Sequence, residues 1–269
     1  MCVFHSVKCV FFIVLIPTFC MTLNTIKKGK DILLVNDEKS YLIPCTGKFS
    51  CKYGAVDLDK LAGKKFGTIA KIGKKKFTVI NPNMRDIMFK KFQRGPQVIL
   101  PEDAAMIVAF TGIGNGSKVV EAGTGSAFLS TFFANIGCEV HTYESRKEHF
   151  KKAAKNIARS GLKIKNHNKD ITKARIPKDL DLVMLDMKSP ELVINKAYLA
   201  LKPGAYLAIY SLHIEQLQRV IPKLKKFSRI RIVENFQRNW QMQGKDETFT
   251  RPKTHMMGHT GFLVFARKF

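Results

Sequence analysis

The sequence predicts an α/β fold in which a mostly parallel sheet carries helices on both faces and ends in an antiparallel hairpin. Apolar runs of strand length alternate with amphipathic runs of helix length from Lys118 to Lys226, as in parallel sheets with crossover helices. The last two predicted strands, Ile230–Asn235 and Phe262–Arg267, have no helical pattern between them. We therefore expect those two strands to pair antiparallel.

Apolar periodicity and proline or glycine punctuation predict the remaining elements of this sheet. A first helix, Pro101–Phe110, has proline at its start and Glu102 and Asp103 in its first turn, where the helix dipole favours them. The predicted strands are Lys118–Ala122, Glu139–Glu144, Lys163–His167, Asp181–Asp186 and Ala205–Tyr210. The predicted helices are Ser126–Ile136, Arg146–Ser160, Glu191–Leu201 and Ile214–Lys226.

Residues 21–84 predict a small β domain that precedes the α/β domain of residues 85–269. Short strand-like runs, Asp31–Val35, Lys39–Ile43 and Lys76–Ile80, are separated by turn residues and closely spaced glycines. Such spacing is typical of a small β domain and suggests a barrel. The last hairpin carries several lysines, which would suit contacts with a polyanion.

Residues 1–20 form an apolar N-terminal extension. The run from Cys9 to Cys20 is too short to span a bilayer and lacks a signal-peptide cleavage pattern. We expect translation to start at Met21. We also expect the protein to form no stable association with a membrane. The six cysteines contain no C-x-x-C pair, which argues against a metal site and a disulfide framework and favours a reducing, cytoplasmic compartment.

The charge balance is strongly basic. Lys and Arg number 46 against 21 Asp and Glu, a net charge of +25. Such an excess attracts polyanions, of which nucleic acid is the commonest. A generally lysine-rich, solvated surface is the alternative, and charge alone leaves both interpretations open.

A glycine-rich turn follows the first strand of the sheet. It reads Glu121-Ala122-Gly123-Thr124-Gly125-Ser126-Ala127, and its glycines let the backbone turn tightly against a ligand. A nicotinamide or flavin fingerprint would need glycine or alanine where Phe128 stands. The G-x-G-x-G spacing with an acidic residue ahead favours S-adenosylmethionine, a nucleoside cofactor that needs no phosphate cradle.

Three further carboxylates follow consecutive strands. Glu144 comes about 20 residues after the glycines, the spacing of a carboxylate that accepts hydrogen bonds from ribose hydroxyls. Asp170, followed by Ile171, suits a contact with the adenine amino group, although an exposed loop aspartate is equally compatible with the spacing. Asp186 ends a strand at the ligand-binding edge of the sheet, where its alternative role is to cap the next helix.

Together these motifs resemble the tRNA (adenine-N1)-methyltransferases of the archaeal and bacterial single-chain type. The resemblance runs from about Cys51 to Phe269. Its most specific parts are Arg94-Gly95-Pro96-Gln97-Val98-Ile99 and the tail from Arg251-Pro252 to Ala266-Arg267-Lys268. It implies a Rossmann-like class I methyltransferase sheet, methyl transfer to adenine 57 or 58 of the T-arm, and a homotetramer. Two departures are Ala127 where the family usually has glycine, and Met187-Lys188-Ser189 in place of a Leu-Pro-x run.

The resemblance also assigns roles to individual residues. It implies that Asp186 serves the target adenine, where a carboxylate would stabilise the positive charge that N1 methylation places on the ring. A methyltransferase of proteins or small molecules, and a non-catalytic tRNA-binding subunit, are the alternative functions. The expected cofactor contacts are Gln97, Glu121, Gly123, Thr124, Gly125, Ser126, Glu144, His149, Asp170, Ile171 and Asp186.

Overall fold

The structure is a computed structural model that describes residues 24–95, 98–243 and 249–269. The chain separates into two compact units between Pro82 and Asn83. The apolar extension of residues 1–20 and the predicted cofactor contact Gln97 lie outside the described residues. Within the described ranges, no helix is long and apolar enough to cross a membrane.

The first unit is built from two antiparallel sheets around a buried core that includes Ile32, Leu34 and Phe77. Its four-stranded sheet has the order β2-β1-β6-β5, and β3 pairs only with β4. Strand pairing among the described residues leaves these sheets open, so the barrel suggested by the sequence is not closed. The strands are β1 (Asp31–Val35), β2 (Ser40–Pro44), β3 (Lys48–Cys51), β4 (Gly54–Asp57), β5 (Ile69–Ile72) and β6 (Lys75–Ile80).

The second unit contains a seven-stranded sheet of order β12-β15-β11-β10-β7-β8-β9. Neighbouring strands from β11 to β9 are parallel, whereas β15 lies antiparallel between β11 and β12. The predicted antiparallel pairing of the last two sheet strands is therefore confirmed. The strands are β7 (Lys118–Ala122), β8 (Glu139–Tyr143), β9 (Ile164–His167), β10 (Leu180–Leu185), β11 (Leu201–Ser211), β12 (Ser228–Val233) and β15 (Phe262–Arg267).

The two faces of this sheet are covered by different helices. One face packs beneath α2 and α3 with a core that includes Ile107 and Phe133, and the other beneath α5 and α6 with Ala197 and Val220. The central strands β7 and β10 are largely buried on both faces, which explains why most of their residues are apolar. The helices are α1 (Met84–Lys91), α2 (Pro101–Thr111), α3 (Phe128–Asn135), α4 (Lys147–Ser160), α5 (Ile194–Ala200) and α6 (Ile214–Val220).

Three predicted helices differ by more than one residue at an end from the helices in the structure. The helix predicted from Ser126 begins at Phe128 because Gly125 and Ala127 adopt left-handed backbone conformations. The region predicted as Glu191–Leu201 is a 3-10 turn at Pro190–Leu192 followed by α5, and Leu201 already belongs to β11. The region predicted as Ile214–Lys226 leaves α-helical geometry after Val220, because Pro222 cannot continue an α-helix.

The structure also contains elements that the periodicity did not predict. Strands β3, β4 and β5 complete the first unit, and α1 opens the second. A hairpin of β13 (Trp240–Gln243) and β14 (Phe249–Pro252) extends beyond the main sheet. Trp240 is 60% exposed, so the half-buried packing that is usual for a lone tryptophan does not occur here.

Helix α1 begins with a reciprocal capping arrangement that should contribute measurably to the stability of the second unit. The Asn83 side chain accepts a hydrogen bond from the Asp86 amide, and the Asp86 carboxylate accepts one from the Asn83 amide, both at 3.0 Å. We expect Asn83→Ala to lower the free energy of unfolding by about 1 kcal/mol. Denaturant titration tests this, and Asn83→Ser should retain most of the stability. Equal losses in both variants would contradict the capping role.

Candidate active site

A cavity of about 480 Å³ opens beyond the carboxyl ends of β7, β8, β9 and β10. In open α/β sheets this edge is where ligands bind. Five of the predicted site residues line it: Gly123, Glu144, Asp170, Ile171 and Asp186. The sheet therefore brings together side chains that are separated by more than 60 positions in the sequence.

The turn after β7 is pressed against the end of β10. Gly123 has a φ of +94°, and a Cβ atom built there would lie 1.7 Å from the carbonyl oxygen of Asp186. The Gly123 amide donates to the Tyr143 carbonyl at 3.0 Å, and the Asp186 amide donates to the Ala122 carbonyl at 2.8 Å. Only glycine fits at position 123, for steric as well as conformational reasons.

Ala127 completes this turn in a left-handed conformation, with φ +60° and ψ +27°. That backbone conformation costs an L-residue roughly 1–2 kcal/mol and favours glycine. The conformation explains why glycine suits this position in the family pattern. The Ala127 methyl group is fully buried. The turn therefore accommodates alanine in place of the family's usual glycine by packing this methyl group inside the protein.

Glu144 ties the cofactor turn to the end of β8. Its Oε2 accepts a hydrogen bond from the Gly125 amide at 3.0 Å, and its Oε1 accepts one from the Arg146 amide at 2.9 Å. The side chain is only 4% exposed, yet it borders the cavity. A carboxylate held by two amides is fixed in orientation and retains lone pairs for two further donors, as ribose hydroxyls would supply.

Asp170 and Ile171 lie on the loop after β9. The Asp170 carboxylate accepts hydrogen bonds from the amide and the hydroxyl of Thr172, and these bonds lower the pKa of Asp170. Asp170 is therefore an anion that faces the cavity at neutral pH. Ile171 is 3% exposed and supplies an apolar wall.

Lys196 was not among the predicted site residues, but it determines the shape of this loop. Its ammonium group on α5 donates to the carbonyls of Ile171, Thr172 and Ala174 at 2.7, 2.6 and 2.9 Å. All three ammonium protons are used on one loop. No local sequence pattern distinguishes this lysine, because its partners come from an element more than 20 residues earlier.

Asp186 is the carboxylate with the most perturbed ionisation at the cavity. Burial, with a contribution from the charge of Glu144, raises the pKa of Asp186 to about 7. Near neutral pH the side chain can therefore exist as the carboxylate or as the acid. Such a shift in a cavity is typical of functional carboxylates.

Glu121 lies beneath the turn. Thr142 donates to its Oε2 at 2.6 Å, and Thr124 contacts the Thr142 hydroxyl at 2.5 Å. Burial raises the pKa of Glu121 to about 8, so it is mostly the neutral acid at pH 7. Glu121 borders a small second cavity together with Thr124, Gly125, Ser126 and Asp186.

Asn156 is a second residue that was not predicted. It is fully buried on α4, and its amide group donates to the carbonyls of Gln93 and Ser126, both at 2.9 Å. Its oxygen accepts the Gln93 amide at 2.9 Å. The Gly95 amide donates to the Ser126 hydroxyl. Asn156 thus fastens Gln93, which directly precedes the Arg94–Ile99 motif, to the cofactor turn.

One predicted site residue lies away from both cavities. His149 is in the first turn of α4 and is not part of either cavity lining; its cofactor contact stays a prediction.

Gln216 is a third residue that was not predicted. It accepts the Leu212 amide at 2.9 Å and donates to the carbonyls of Met187 and Lys188. Gln216 therefore holds the segment that replaces the family's Leu-Pro-x run.

Comparison with known proteins assigns the chain to a family. Residues 87–247 match the family model described as the tRNA methyltransferase complex GCD14 subunit. This match includes the glycine turn, Glu144, Asp170 and Asp186. The chain belongs to this tRNA methyltransferase family. It is 33% identical over 225 residues to the tRNA (adenine(57)-N(1)/adenine(58)-N(1))-methyltransferase TrmI of Methanocaldococcus jannaschii, covering 71% of this chain and 78% of that protein.

Solved structures agree with the family assignment. The tRNA methyltransferase TrmI from Aquifex aeolicus superposes with a TM-score of 0.77 at 26% identity, over 91% of this chain and 99% of that one. A protein from Thermotoga maritima, titled a SAM-dependent O-methyltransferase, superposes with a TM-score of 0.79 at 28% identity, over 91% and 95%. The predicted Rossmann-like methyltransferase fold with a small N-terminal β region is confirmed.

The three hydrogen bonds of Lys196 should matter for cofactor binding more than for turnover. We expect Lys196→Met to weaken binding of S-adenosylhomocysteine by roughly 10-fold, since about 1–1.5 kcal/mol of loop ordering is lost. Isothermal calorimetry measures this. Lys202→Met is the matched control, because Lys202 pairs with Asp181 at the opposite end of β10. Wild-type affinity in Lys196→Met would show that the loop needs no such support.

The raised pKa of Glu121 should make stability fall as pH rises. The folded protein holds this proton up to about pH 8, whereas the unfolded chain releases it near 4.5. The stabilisation is complete below pH 4.5 and is lost toward pH 8, at up to about 1.4 kcal/mol per pH unit. Glu121→Gln should flatten this decline, although Asp186 adds a slope of the same sign. Urea unfolding between pH 5 and 8 tests the expectation.

The control for this titration is Glu139→Gln. Glu139 is exposed, and its hydrogen bond with Lys165 lowers its pKa. Its removal should leave the decline above pH 5 in place. Parallel pH profiles for wild type and Glu121→Gln would contradict a buried proton at Glu121.

Proposed function

We propose that the protein transfers a methyl group from S-adenosylmethionine to N1 of adenine 57 or 58, or both, in the tRNA T-arm. One observation carries the proposal: Asp186, whose backbone abuts Gly123, places a carboxylate of raised pKa where the cofactor turn and the cavity meet. The names of the relatives supply the substrate, since the Methanocaldococcus jannaschii protein is named for methylation of adenines 57 and 58.

The cavity fits the cofactor by its chemistry. Glu144 would accept hydrogen bonds from the ribose hydroxyls, and Asp170 would accept one from the adenine amino group. Ile171 would contact the adenine ring, and the glycine turn would approach the methionine moiety. When bound, S-adenosylmethionine supplies an activated methyl group on a sulfonium, so the protein's task is alignment of donor and acceptor.

Asp186 has the clearest role toward the acceptor. N1 of adenine carries a lone pair but is hidden in folded tRNA, so the base must leave its stack to reach the cavity. Methylation leaves a positive charge on the ring. The Asp186 carboxylate would accept a hydrogen bond from the exocyclic amine and stabilise that charge. This role requires the ionised form, so the rate should rise as pH passes through about 7.

The protein's charge supports tRNA over other acceptors. The net charge is +25, and the β5–β6 hairpin of the first unit carries Lys71, Lys74, Lys75 and Lys76. Such a surface binds phosphates with an affinity that falls steeply with salt. The O-methyltransferase title of the Thermotoga maritima protein favours a second candidate, a small-molecule or protein acceptor. A non-catalytic tRNA-binding subunit is disfavoured because Gly123, Glu144 and Asp186 are all present.

We extend the proposal to assembly and location. The hairpin of β13 and β14 exposes large apolar side chains, with Trp240, Met242 and Phe249 each at least 60% exposed. Trp240 and Met242 share one face of this strand pair, and Phe249, paired with Gln243, lies on the other. Exposed apolar side chains of this kind suit a subunit interface, which supports the expected homotetramer. The reduced cysteines Cys45, Cys51 and Cys138 are compatible with a cytoplasmic enzyme.

Replacement of Asp186 tests the mechanism. We expect Asp186→Asn and Asp186→Ala to bind S-adenosylmethionine within a few-fold of wild type and to lose at least roughly 100-fold in kcat, the scale of one electrostatic group in a catalytic site. Mass spectrometry of nucleosides from bulk tRNA, after incubation with enzyme and cofactor, detects 1-methyladenosine. Asp181→Asn, at the other end of β10, should remain active. Unimpaired turnover in Asp186→Ala would remove Asp186 from the mechanism.

A further inference from the structure

Another cavity, of about 600 Å³, lies in the methyltransferase unit away from the two cavities at the cofactor turn. It opens beside the end of α2, above β11, β15 and β12. Tyr206 on its floor pairs with Leu182, four residues before Asp186 along the parallel strand β10. At about 3.3 Å per residue, the floor lies roughly 13 Å below the catalytic edge along the strands. The cavity therefore cannot be part of the cofactor pocket.

The floor of this cavity is aromatic. Phe110 from α2 stacks on Phe265 of β15, with ring centroids 4.7 Å apart and planes within 7°. Tyr206 and Ile230 extend the apolar surface. The stacked faces of Phe110 and Phe265 cover each other, so the cavity offers an apolar and aromatic wall against which a nucleobase can pack.

The rim is formed by arginines. Arg231 lies over the Phe110 ring at 5.8 Å, and Arg267 lies over the Tyr206 ring at 5.3 Å. Arg229 lines the cavity beside Arg231. Arg267 itself lies outside the lining and donates to the Gly204 carbonyl at 2.8 Å. The chain has 11 arginines among its 46 basic residues, so two of them side by side in this lining contrast with its general lysine richness. Guanidinium groups bind phosphates bidentately and stack on bases, which ammonium groups do not.

The backbone of β12 directs this arrangement. The pairing of β12 with β15 shifts register between Ser228 and Arg231, and Arg229 has a φ of +48°. A left-handed arginine costs roughly 1–2 kcal/mol. Bulges re-aim side chains and recur near functional sites, and backbone strain at a surface residue is an observation that calls for a functional reason.

The cavity lining contains no carboxylate. Within the residues that the structure describes, no salt bridge involves Arg229, Arg231 or Arg267. Among the described residues, these arginines thus have no acidic partner at the cavity. Positive charge without a carboxylate, next to aromatic faces, complements a nucleotide unit of RNA: an anionic phosphate followed by a planar base.

We propose that this cavity is an auxiliary RNA-binding site, which holds an unpaired or splayed nucleotide of the substrate tRNA outside the target base. Arg229 and Arg231 bind its phosphate, and its base packs against the Phe110 and Tyr206 side of the cavity. The proposal rests on the proposed function, since it takes tRNA as the substrate. The site contributes to tRNA affinity and register, and it takes no part in methyl transfer.

The test compares two double variants of the full chain with equal changes in charge. Arg229→Gln with Arg231→Gln removes two charges at the cavity, and Lys151→Gln with Lys155→Gln removes two exposed charges from α4. Filter binding of bulk tRNA gives the Kd at several salt concentrations. We expect the arginine variant to bind tRNA about 10-fold more weakly, with the slope of log K against log salt reduced by about 2. The lysine variant should change the Kd less than threefold.

Further measurements separate this site from the catalytic centre. Calorimetric affinity for S-adenosylmethionine and kcat at saturating tRNA should be unchanged in the arginine variant, while KM for tRNA rises. Arg229→Lys with Arg231→Lys keeps the charge but should recover only part of the affinity. Ultraviolet cross-linking of tRNA to wild type should label the tryptic peptide that carries Phe110, and the arginine variant should lose that label.

Several outcomes would overturn the proposal. Equal weakening by the arginine and lysine variants would show that charge alone matters. Unchanged tRNA affinity together with an altered oligomeric state in sedimentation would assign the cavity to contacts between copies of the chain. Wild type that binds tRNA through this cavity without methylating it would refute the proposed activity and leave the auxiliary site standing, so the two failures are distinguishable.

Discussion

The close approach of Gly123 to the carbonyl of Asp186 is the constraint on which the site depends. A Cβ atom at position 123 would overlap that carbonyl at 1.7 Å, so the absence of a side chain allows β7 and β10 to end side by side. This contact places the cofactor turn, on one strand, directly against the carboxylate that ends the other. In the proposed reaction, donor binding and acceptor chemistry would thereby share one backbone junction.

Around this junction the protein concentrates carboxyl groups within an otherwise basic chain. Glu121 is buried and mostly neutral, Asp186 titrates near neutrality, and Asp170 is an anion. The environments differ, so the groups can do different things: the neutral acid supports the turn, while the ionised groups would accept hydrogen bonds from a bound nucleoside. Adjacent carboxylates also raise one another's proton affinity, as Glu144 does for Asp186, which limits how many can be charged at once.

A layer of polar side chains holds the loops that form the cavity. Asn156 joins the Gln93 segment to the cofactor turn, Lys196 gathers the carbonyls after Ile171, and Gln216 holds the segment after Asp186. Each of these side chains forms hydrogen bonds with backbone groups that would otherwise lack partners. Removing one of them would therefore cost more free energy than the net stabilisation of its hydrogen bonds, because the backbone groups would be left unpaired. Loops with such supports can present ligand contacts with little reorganisation.

Sequence alone predicted the order of strands and helices in the seven-stranded sheet of the second unit, its antiparallel end, and the glycine turn with the carboxylates that follow successive strands. These features were predictable because periodicity, glycine spacing and strand ends are local properties of the chain. Sequence could not identify Lys196 or Asn156, since a lysine on a short helix and an asparagine on an amphipathic one look ordinary until distant carbonyls meet them. Nor could it show that Glu121 is mostly neutral, that Arg229 adopts a left-handed backbone, or that Arg229 and Arg231 share one cavity with Phe110 and Tyr206. Those properties depend on burial and on contacts between elements far apart in the chain, and only the tertiary structure brings such groups together.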